Sequence, residues 1–326
     1  MKWGVLCFAL EFISLVSVGM AQIPENNPSW KLVTSKSDEF EGNMNSNKWV
    51  LIGKSDPMWH GWGISEFLEA NSSVHDGCLY LKTYKENSIY FTGGIHSKKP
   101  EYHFGYYELR AKVPKGRGFW HAFWLYNQEG QNWYDEIDIF EPMGELNIAG
   151  RGTSFGVVDM LADKQHPYRI ESSDIGVDLS ADFHTFALRW QPDTLVFYID
   201  GRVMGVCTGD IVPQHPMYLY IDQQISCPDP SSAWSCPDGI MDASLPQYFI
   251  VDYFRYYEKY ECDKVVVGDN YDFMKDNRSV KKSYKLKSAI VPKRGPVVLK
   301  AETLELGEGF EVPAGAEFEF QSTECK

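Results

Sequence analysis

The sequence lacks the patterns that mark several large protein classes. Amphipathic helical periodicity is almost absent from residues 30 to 260, and no repeat of about 40 residues recurs. It shows no phosphate-binding glycine loop, no zinc-ligand spacing and no nucleophile elbow. These absences argue against helical bundles, β-propellers, zinc enzymes and the common nucleotide-binding and serine-hydrolase folds.

Positive charge is also scarce. The chain has 31 Lys and Arg residues against 45 Asp and Glu residues, a net charge of −14. Such a surface repels nucleic acid and anionic membranes, so neither is expected as a partner. Aromatic residues, in contrast, make up 15% of the chain. They offer flat apolar faces, and sugar rings are one partner that fits such faces.

Long apolar runs are limited to the N-terminus. Lys2 precedes an apolar run over residues 3–18, which is followed by the small-residue sequence of 19–21. This pattern predicts a signal peptide over 1–21, and therefore a secreted protein, extracellular or periplasmic, without membrane contact after cleavage. Glu11 interrupts the apolar run, so an uncleaved anchor is the alternative. No later segment is long and apolar enough to span a bilayer.

Cysteines are few but even in number once residues 1–21 are removed, which permits disulfides in an exported chain. Cys227 and Cys236 bracket a proline-rich loop and are the pair we predict from the sequence.

Short runs rich in aromatic and β-branched residues follow one another from about residue 30 to residue 260. They are broken by Gly, Pro, Asn and Asp, with turn pairs at Asp76-Gly77 and Asp200-Gly201. Many strands without intervening helices predict an all-β fold, an antiparallel sandwich or jelly roll. The runs that carry this prediction are 78–84, 104–113, 184–190, 194–201, 217–222 and 248–258.

The composition changes beyond Cys262. Residues 263–292 are rich in Lys and Asp, which is typical of a linker or loosely ordered strap. Residues 293–326 alternate apolar residues with Glu and predict a small β-meander packed on its neighbour. We therefore divide the chain into a signal peptide (1–21), a large β-rich domain (22–262), for which the acidic motif described next predicts the catalytic role, a linker (263–292) and a small β-rich segment (293–326).

The most informative stretch contains Glu136, Asp138 and Glu141. On a regular strand Glu136 and Asp138 point to one side and Glu141 to the other. A β-bulge at Ile139 or Phe140 would bring all three carboxylates onto one face. The alternative is an amphipathic strand with a solvated acidic face, which the spacing alone does not exclude.

Three carboxylates on one face suit double-displacement hydrolysis of a glycosidic bond. One must be ionised to attack the anomeric carbon while another holds a proton for the departing oxygen, and like charges separate their pKa values. In this scheme Glu136 is the nucleophile, Glu141 is the acid and later the base, and Asp138 lies between them.

Glu136 to Glu141 fit the E-x-D-x-x-E signature of glycoside hydrolase family 16, the laminarinase, lichenase, agarase and carrageenase group, which this sequence resembles. The resemblance extends over nearly all of residues 30–258. The other matching segments are 30–33, 38–40, 48–49, 73–79, 105–112, 118–125, 183–190, 198–201 and 251–255.

The resemblance implies a concanavalin A-like jelly roll of two curved antiparallel sheets, with endo-acting, retaining hydrolysis of a β-linked polysaccharide in a concave cleft. It places Trp120 and Trp133 as stacking platforms for sugars, with Trp59 and Trp62 as candidates for further subsites. Trp124 and Trp190 are interpreted as core residues.

No cofactor is expected for catalysis. The resemblance also implies a structural Ca²⁺ on the convex face, because Glu39, Gly77 and Asp252 fall where several relatives hold that ion. Oxygen ligands from separate strands suit calcium.

The net charge of −14 favours a neutral polysaccharide, and we expect β-1,3- or β-1,3-1,4-glucan. An agarase- or carrageenase-type galactan hydrolase is the alternative within the family. A transglycosylase and a non-catalytic glycan-binding protein on the same fold are the others, although such binding proteins usually lose one signature acid. The protein is expected to be a monomer.

Overall fold

The structure is a computed structural model that describes residues 6–9, 27, 29–56, 64–127, 135–141, 153–159, 168–172, 176–225 and 245–325. Two β-sheets stack face to face, and nearly all regular structure in the described residues is strand. The predicted all-β jelly-roll class is confirmed.

One sheet has seven antiparallel strands, and we call it the inner sheet. Its spatial order is β13 (Tyr168–Ser172), β12 (Thr153–Asp159), β11 (Asp135–Glu141), β10 (Phe119–Asn127), β17 (Tyr218–Ile225), β8 (Gly94–Ser97) and β3 (Trp49–Leu51).

The other sheet, the outer sheet, is built on β18, which pairs with strands on both of its sides. On one side the order is β18 (Gln247–Asp269), β9 (Gly105–Lys112), β14 (His184–Gln191), β15 (Thr194–Ile199), β16 (Arg202–Thr208) and β1 (Leu6–Ala9). On the other side β18 pairs with β2 (Trp30–Leu32) and β6 (Cys78–Glu86), and β6 leads to β5 (Ser72–His75), β7 (Ile89–Thr92) and β4 (Ser65–Phe67). A 3₁₀ turn, Glu69–Asn71, precedes β5.

The main core lies between the sheets and follows from the alternation seen in the sequence. In β14 the side chains of Phe186, Leu188 and Trp190 are fully buried in this core, whereas Arg189 between them points outward and is only half-buried. A strand with this period presents every second residue to one face. Trp190 is therefore a core residue, as predicted.

The predicted turn pairs connect neighbouring strands. Asp76 and Gly77, between β5 and β6, both have positive φ, and so do Asp200 and Gly201, between β15 and β16. Two consecutive residues with positive φ are what a tight hairpin turn requires, which explains why Asp-Gly occurs at both positions.

The structure differs from the predicted linker and meander at the C-terminal end. Residues up to Asp269 continue β18, and β19 (Val280–Lys287), β20 (Val297–Leu306) and β21 (Phe318–Ser322) add to it in parallel. We call β19 to β21 and their connections the C-terminal stack. The prediction of a linker over 263–292 was wrong because apolar residues alternate with the lysines: Val280, Tyr284 and Leu286 are buried.

The C-terminal stack has its own hydrophobic cluster and is fastened to the jelly roll. Buried Phe273, Leu299 and Ala301 belong to that cluster. Lys300 Nζ lies 2.7 Å from Glu258 Oε1 on β18. A disulfide joins Cys262 to Cys325 across a sequence separation of 63. The predicted Cys227–Cys236 pair lies outside the described residues.

Leu6–Ala9, within the predicted signal peptide, pairs antiparallel with β16. Cleavage after residue 21 stays a prediction. In the part of the chain that the structure describes, no helix has the length and apolar character needed to cross a bilayer.

Candidate active site

Strand β11 carries one extra residue relative to its neighbours. Asp138 pairs with Trp124 of β10, and Phe140 pairs with Phe123, so Ile139 has no Cα partner on β10. The pairing with β12 shows the same shift between Asp138 and the end of the strand. This register confirms the β-bulge that the acidic motif predicts.

The bulge turns the last carboxylate to the same side as the first two. Ile139 and its neighbour Phe140 are both fully buried in the core between the sheets. Glu141 then points away from the core, where its Oε1 accepts a hydrogen bond of 2.9 Å from Trp120 Nε1. Asp138 lies beside Trp124, four residues along β10 from Trp120 and on the same face.

Glu136 is two residues before Asp138 and shares that face of the inner sheet. Glu136 is half-buried, whereas Asp138 and Glu141 are each only 4% exposed. We call this side the groove face and the three acids the carboxylate cluster. Because three acidic groups share a largely enclosed surface, each opposes the ionisation of the others.

Trp124 differs from its sequence interpretation as a core residue. It is half-buried on the groove face, where its ring stacks on Tyr220 with centroids 4.5 Å apart. Its Nε1 donates a hydrogen bond of 2.6 Å to Asp222 Oδ2. The prediction was wrong because β10 has rows of aromatic residues on both faces, and aromatic content alone does not tell the faces apart.

Asp222 on β17 is a residue of the groove face that the sequence analysis missed. The carboxyl group is fully buried and accepts bonds from Trp124 and, at 3.3 Å, from Gln224 Nε2. Burial raises the pKa of Asp222 to about 7; the two hydrogen bonds oppose the rise and the charge of Glu141 adds to it. Leu219 and Ile221 face the core, so Asp222 faces the groove side. This alternation points to the active site only when β17 is known to lie beside β10.

Of the four tryptophans predicted to bind substrate, the structure places Trp120 on the groove face beside Glu141. Trp133, Trp59 and Trp62 lie outside the described residues, and their roles stay predictions.

Two of the three predicted calcium ligands contact arginine side chains, and the calcium site stays a prediction. Glu39 accepts two bonds from Arg255, at 2.8 and 3.0 Å, and Asp252 forms an ion pair with Arg110. Gly77 lies in the β5–β6 turn. Among the described residues no group of three or more His, Cys, Asp or Glu side chains could hold a metal ion. A calcium ion there would compete with Arg255 for Glu39 and with Arg110 for Asp252.

A cluster of three carboxylates flanked by indoles on the groove face of a β-sandwich defines a class of protein. It is the arrangement of a glycoside hydrolase that works through paired carboxyl groups.

Comparison with known proteins identifies the family. A family model described as "Beta-porphyranase A-D, GH16 domain" matches residues 30–258. The chain therefore belongs to glycoside hydrolase family 16, as its motifs indicate, and is an endo-β-glycanase of that family.

Individual relatives agree with this membership. A glucan endo-1,3-beta-glucosidase of Cryptopygus antarcticus is 32% identical over 51% of this chain and 66% of its own length. Beta-porphyranase B of Zobellia galactanivorans is 28% identical over 58% of this chain and 72% of its own. The laminarinase catalytic domain of Thermotoga petrophila superposes with a TM-score of 0.59 at 25% identity, covering 71% of this chain and 99% of that domain.

Proposed function

We propose that the protein cleaves a neutral β-linked polysaccharide internally, with retention of anomeric configuration, by double displacement. The observation that carries this proposal is the bulge in β11, which brings Glu136, Asp138 and Glu141 to one groove face. A pair of carboxyl groups flanking the scissile bond is the minimum requirement of this reaction.

In the first step the Glu136 carboxylate attacks the anomeric carbon while the bond from that carbon to the departing oxygen breaks. Glu141 gives its proton to that oxygen, so the leaving chain departs as an alcohol. Asp138, between the two, hydrogen-bonds Glu136 when protonated and adds negative charge when ionised. Trp120 holds Glu141 through the 2.9 Å bond to its Oε1.

In the second step a water molecule attacks the same carbon from the side that the leaving chain vacated. Glu141 now accepts the proton of that water, and the bond to Glu136 breaks to release the sugar. Both groups end in the protonation states in which they began. A sugar hydroxyl in place of water would give transglycosylation, which competition between acceptor oligosaccharides and water would detect.

A β-1,3- or β-1,3-1,4-glucan is the substrate that the site supports best. The described groove face gathers Glu136, Asp138, Glu141 and Asp222, and the chain has a net charge of −14. Sulfate groups held near these carboxylates would be repelled. The 32% identity to a glucan endo-1,3-beta-glucosidase supports the same choice.

A galactan of the porphyran type is the second candidate. The family model that matches residues 30–258 is described as a β-porphyranase domain, and a named β-porphyranase is among the relatives. A galactan that carries sulfate would need basic side chains in the outer subsites to offset the acidic centre.

Reducing-end release from laminarin, lichenan, agarose, porphyran and carrageenan tests both candidates. We expect the fastest release from laminarin or lichenan, and release from porphyran alone would select the second candidate. Glu136→Gln should lower kcat by at least about 10³-fold while oligosaccharide binding persists. Undiminished hydrolysis by this variant would overturn the assignment of Glu136.

We also propose that the chain is exported and acts as a monomer outside the cell or in the periplasm. A polysaccharide is too large to enter a cell freely, and the Cys262–Cys325 disulfide suits an oxidising compartment. Mass spectrometry of the exported protein should give a chain that begins after Ala21. Retention of residues 1–21, including the strand Leu6–Ala9, would contradict the predicted cleavage.

A further inference from the structure

Asp222 and Glu141 lie in one lateral row of the inner sheet. Asp222 pairs with Ala122 of β10. On the other side of β10 Phe123 pairs with Phe140, and the same register places Glu141 next to Ala122. The Cα atoms of the two acids are therefore two strand spacings apart, about 10 Å.

Nothing larger than a methyl group separates the two acids in that row. Ala122 lies between the two bulky indoles of its own strand, so the side chain directly between the acids in the row is the smallest on that face of β10. Gly94 of β8 pairs with Asp222 on its other side, and a Cβ there would come within 2.8 Å of the Asp222 Cβ. Asp222 therefore has a tight backbone wall on one side, and on the other only buried Ala122 stands between it and Glu141 in the row.

The environment of Asp222 suits a carboxyl group that takes up a proton easily. It is fully buried, and neither a lysine nor an arginine is among the described groups that act on it. Among the described residues, the other titratable groups around it include Glu141 and, beside Trp124, Asp138 on β11, Tyr220 on its own strand, and the buried His96–Asp56 pair, whose imidazole stacks on Tyr220. Of these, Glu141 is the one whose charge disfavours ionisation of Asp222 directly.

We propose that Asp222 is a positioning residue for the proton of Glu141: the two carboxyl groups act as a pair that carries one proton between them. The hydrogen bond from Trp124 fixes Asp222 on the groove face. With one proton shared, Glu141 keeps its acid form to higher pH than it would beside a neutral group. The proposal rests on the proposed function for its role in catalysis, but the proton-sharing pair exists whether or not the enzyme assignment holds.

The titration of the pair can be measured without activity. In ¹³C NMR of protein labelled at the Asp and Glu carboxyl carbons, the signal that is lost in Asp222→Asn belongs to Asp222. That signal should titrate with a midpoint near pH 7 in the wild type. Glu141→Gln should move the midpoint to lower pH by roughly half to one unit, because the like charge is gone. A midpoint that Glu141→Gln leaves unchanged would overturn the pair.

The kinetic consequence is a shift in the alkaline limb of the kcat/KM profile. Asp222→Asn keeps an oxygen acceptor for Trp124 Nε1 but removes the shared charge, so the limb should move to lower pH by roughly half to one unit. Trp124→Phe is the matched control. This substitution removes a hydrogen bond that favours the ionised form of Asp222. The alkaline limb of the kcat/KM profile of Trp124→Phe should therefore not move to lower pH.

An unchanged limb in Asp222→Asn, or an equal downward shift in both variants, would contradict the catalytic role of the pair. If the wild type hydrolysed none of the five polysaccharides named above, the proposed function would be contradicted. The NMR titration would still show whether the two carboxyl groups share a proton.

Discussion

Trp120 and Trp124 combine two properties in the wall of the groove. Each offers an aromatic face, and each donates its indole N–H to a carboxyl group, Glu141 and Asp222 respectively. These bonds fix the acids on the groove face without placing a positive charge beside them. A lysine or arginine in the same place would favour their ionised forms and weaken the acid function.

The sequence could predict Glu136, Asp138 and Glu141 because their motif, together with the matching segments around it, resembles that of a known family, and the same resemblance indicated Trp120. It could not predict Asp222 or the placement of Trp124. Their roles depend on β17 lying beside β10, which is a contact between segments almost 100 residues apart.

His121 shows how the opposite face of β10 affects stability. It is buried against Phe140 and Phe249, its Nδ1 has no hydrogen-bond partner among the residues that the structure describes, and burial lowers its pKa to about 3. In the unfolded chain the pKa of His121 is near 6.5. Between pH 6.5 and pH 3 the unfolded chain therefore binds a proton at His121 that the folded protein does not bind. This group makes the protein less stable as the pH falls through that window.

Replacing His121 with Leu should remove this dependence. Between pH 7 and pH 5 the wild type should lose about 2 kcal/mol of unfolding free energy more than His121→Leu does. Urea unfolding at the two pH values measures the difference. Parallel losses in the two proteins would show that His121 is protonated in the folded state.

The bulge in β11 is the element on which the site depends. The acidic spacing predicted it, and the register with both neighbouring strands confirms it. The pairing direction of β19 to β21 was not predictable in the same way, because alternation and turn glycines occur in parallel and antiparallel strands alike.

Two substitutions test the bulge independently of catalysis. Ile139→Ala and Phe140→Ala should each destabilise the protein, by about 2–5 and 3–5 kcal/mol, because both adjacent side chains are fully buried in the core. Chemical denaturation of the two variants measures this. In a regular strand only one of two neighbours faces the core, so a large loss in one variant alone would contradict the bulge.

At the scale of the whole molecule, the long strand β18 joins the jelly roll to the C-terminal stack. Its first part pairs with β9 and its last part with β19. Buried Lys281 of β19 contacts Glu261 at 3.0 Å, and the adjacent Cys262 carries the disulfide to Cys325. The two parts therefore share a strand, an ion pair and a covalent link, which residue composition alone did not reveal.

Removing the disulfide should weaken this junction. Cys325→Ser is expected to lower the unfolding free energy of the C-terminal stack by up to about 4 kcal/mol, because a long loop is no longer closed in the unfolded chain. Cys78→Ser is the matched control, since Cys78 is a free thiol. Hydrogen exchange in β19 and β20 reports the change. Equal protection in both variants would mean that the strand pairing alone holds the stack.

The stereochemistry of the first product tests most directly whether the carboxylate cluster works as a nucleophile and an acid. Proton NMR during hydrolysis of the preferred polysaccharide shows which anomer of the new reducing end forms before mutarotation. Glu136 and Glu141 acting by double displacement predict the β-anomer first. The α-anomer as the first product would mean direct attack by water and would contradict the roles assigned to the two glutamates.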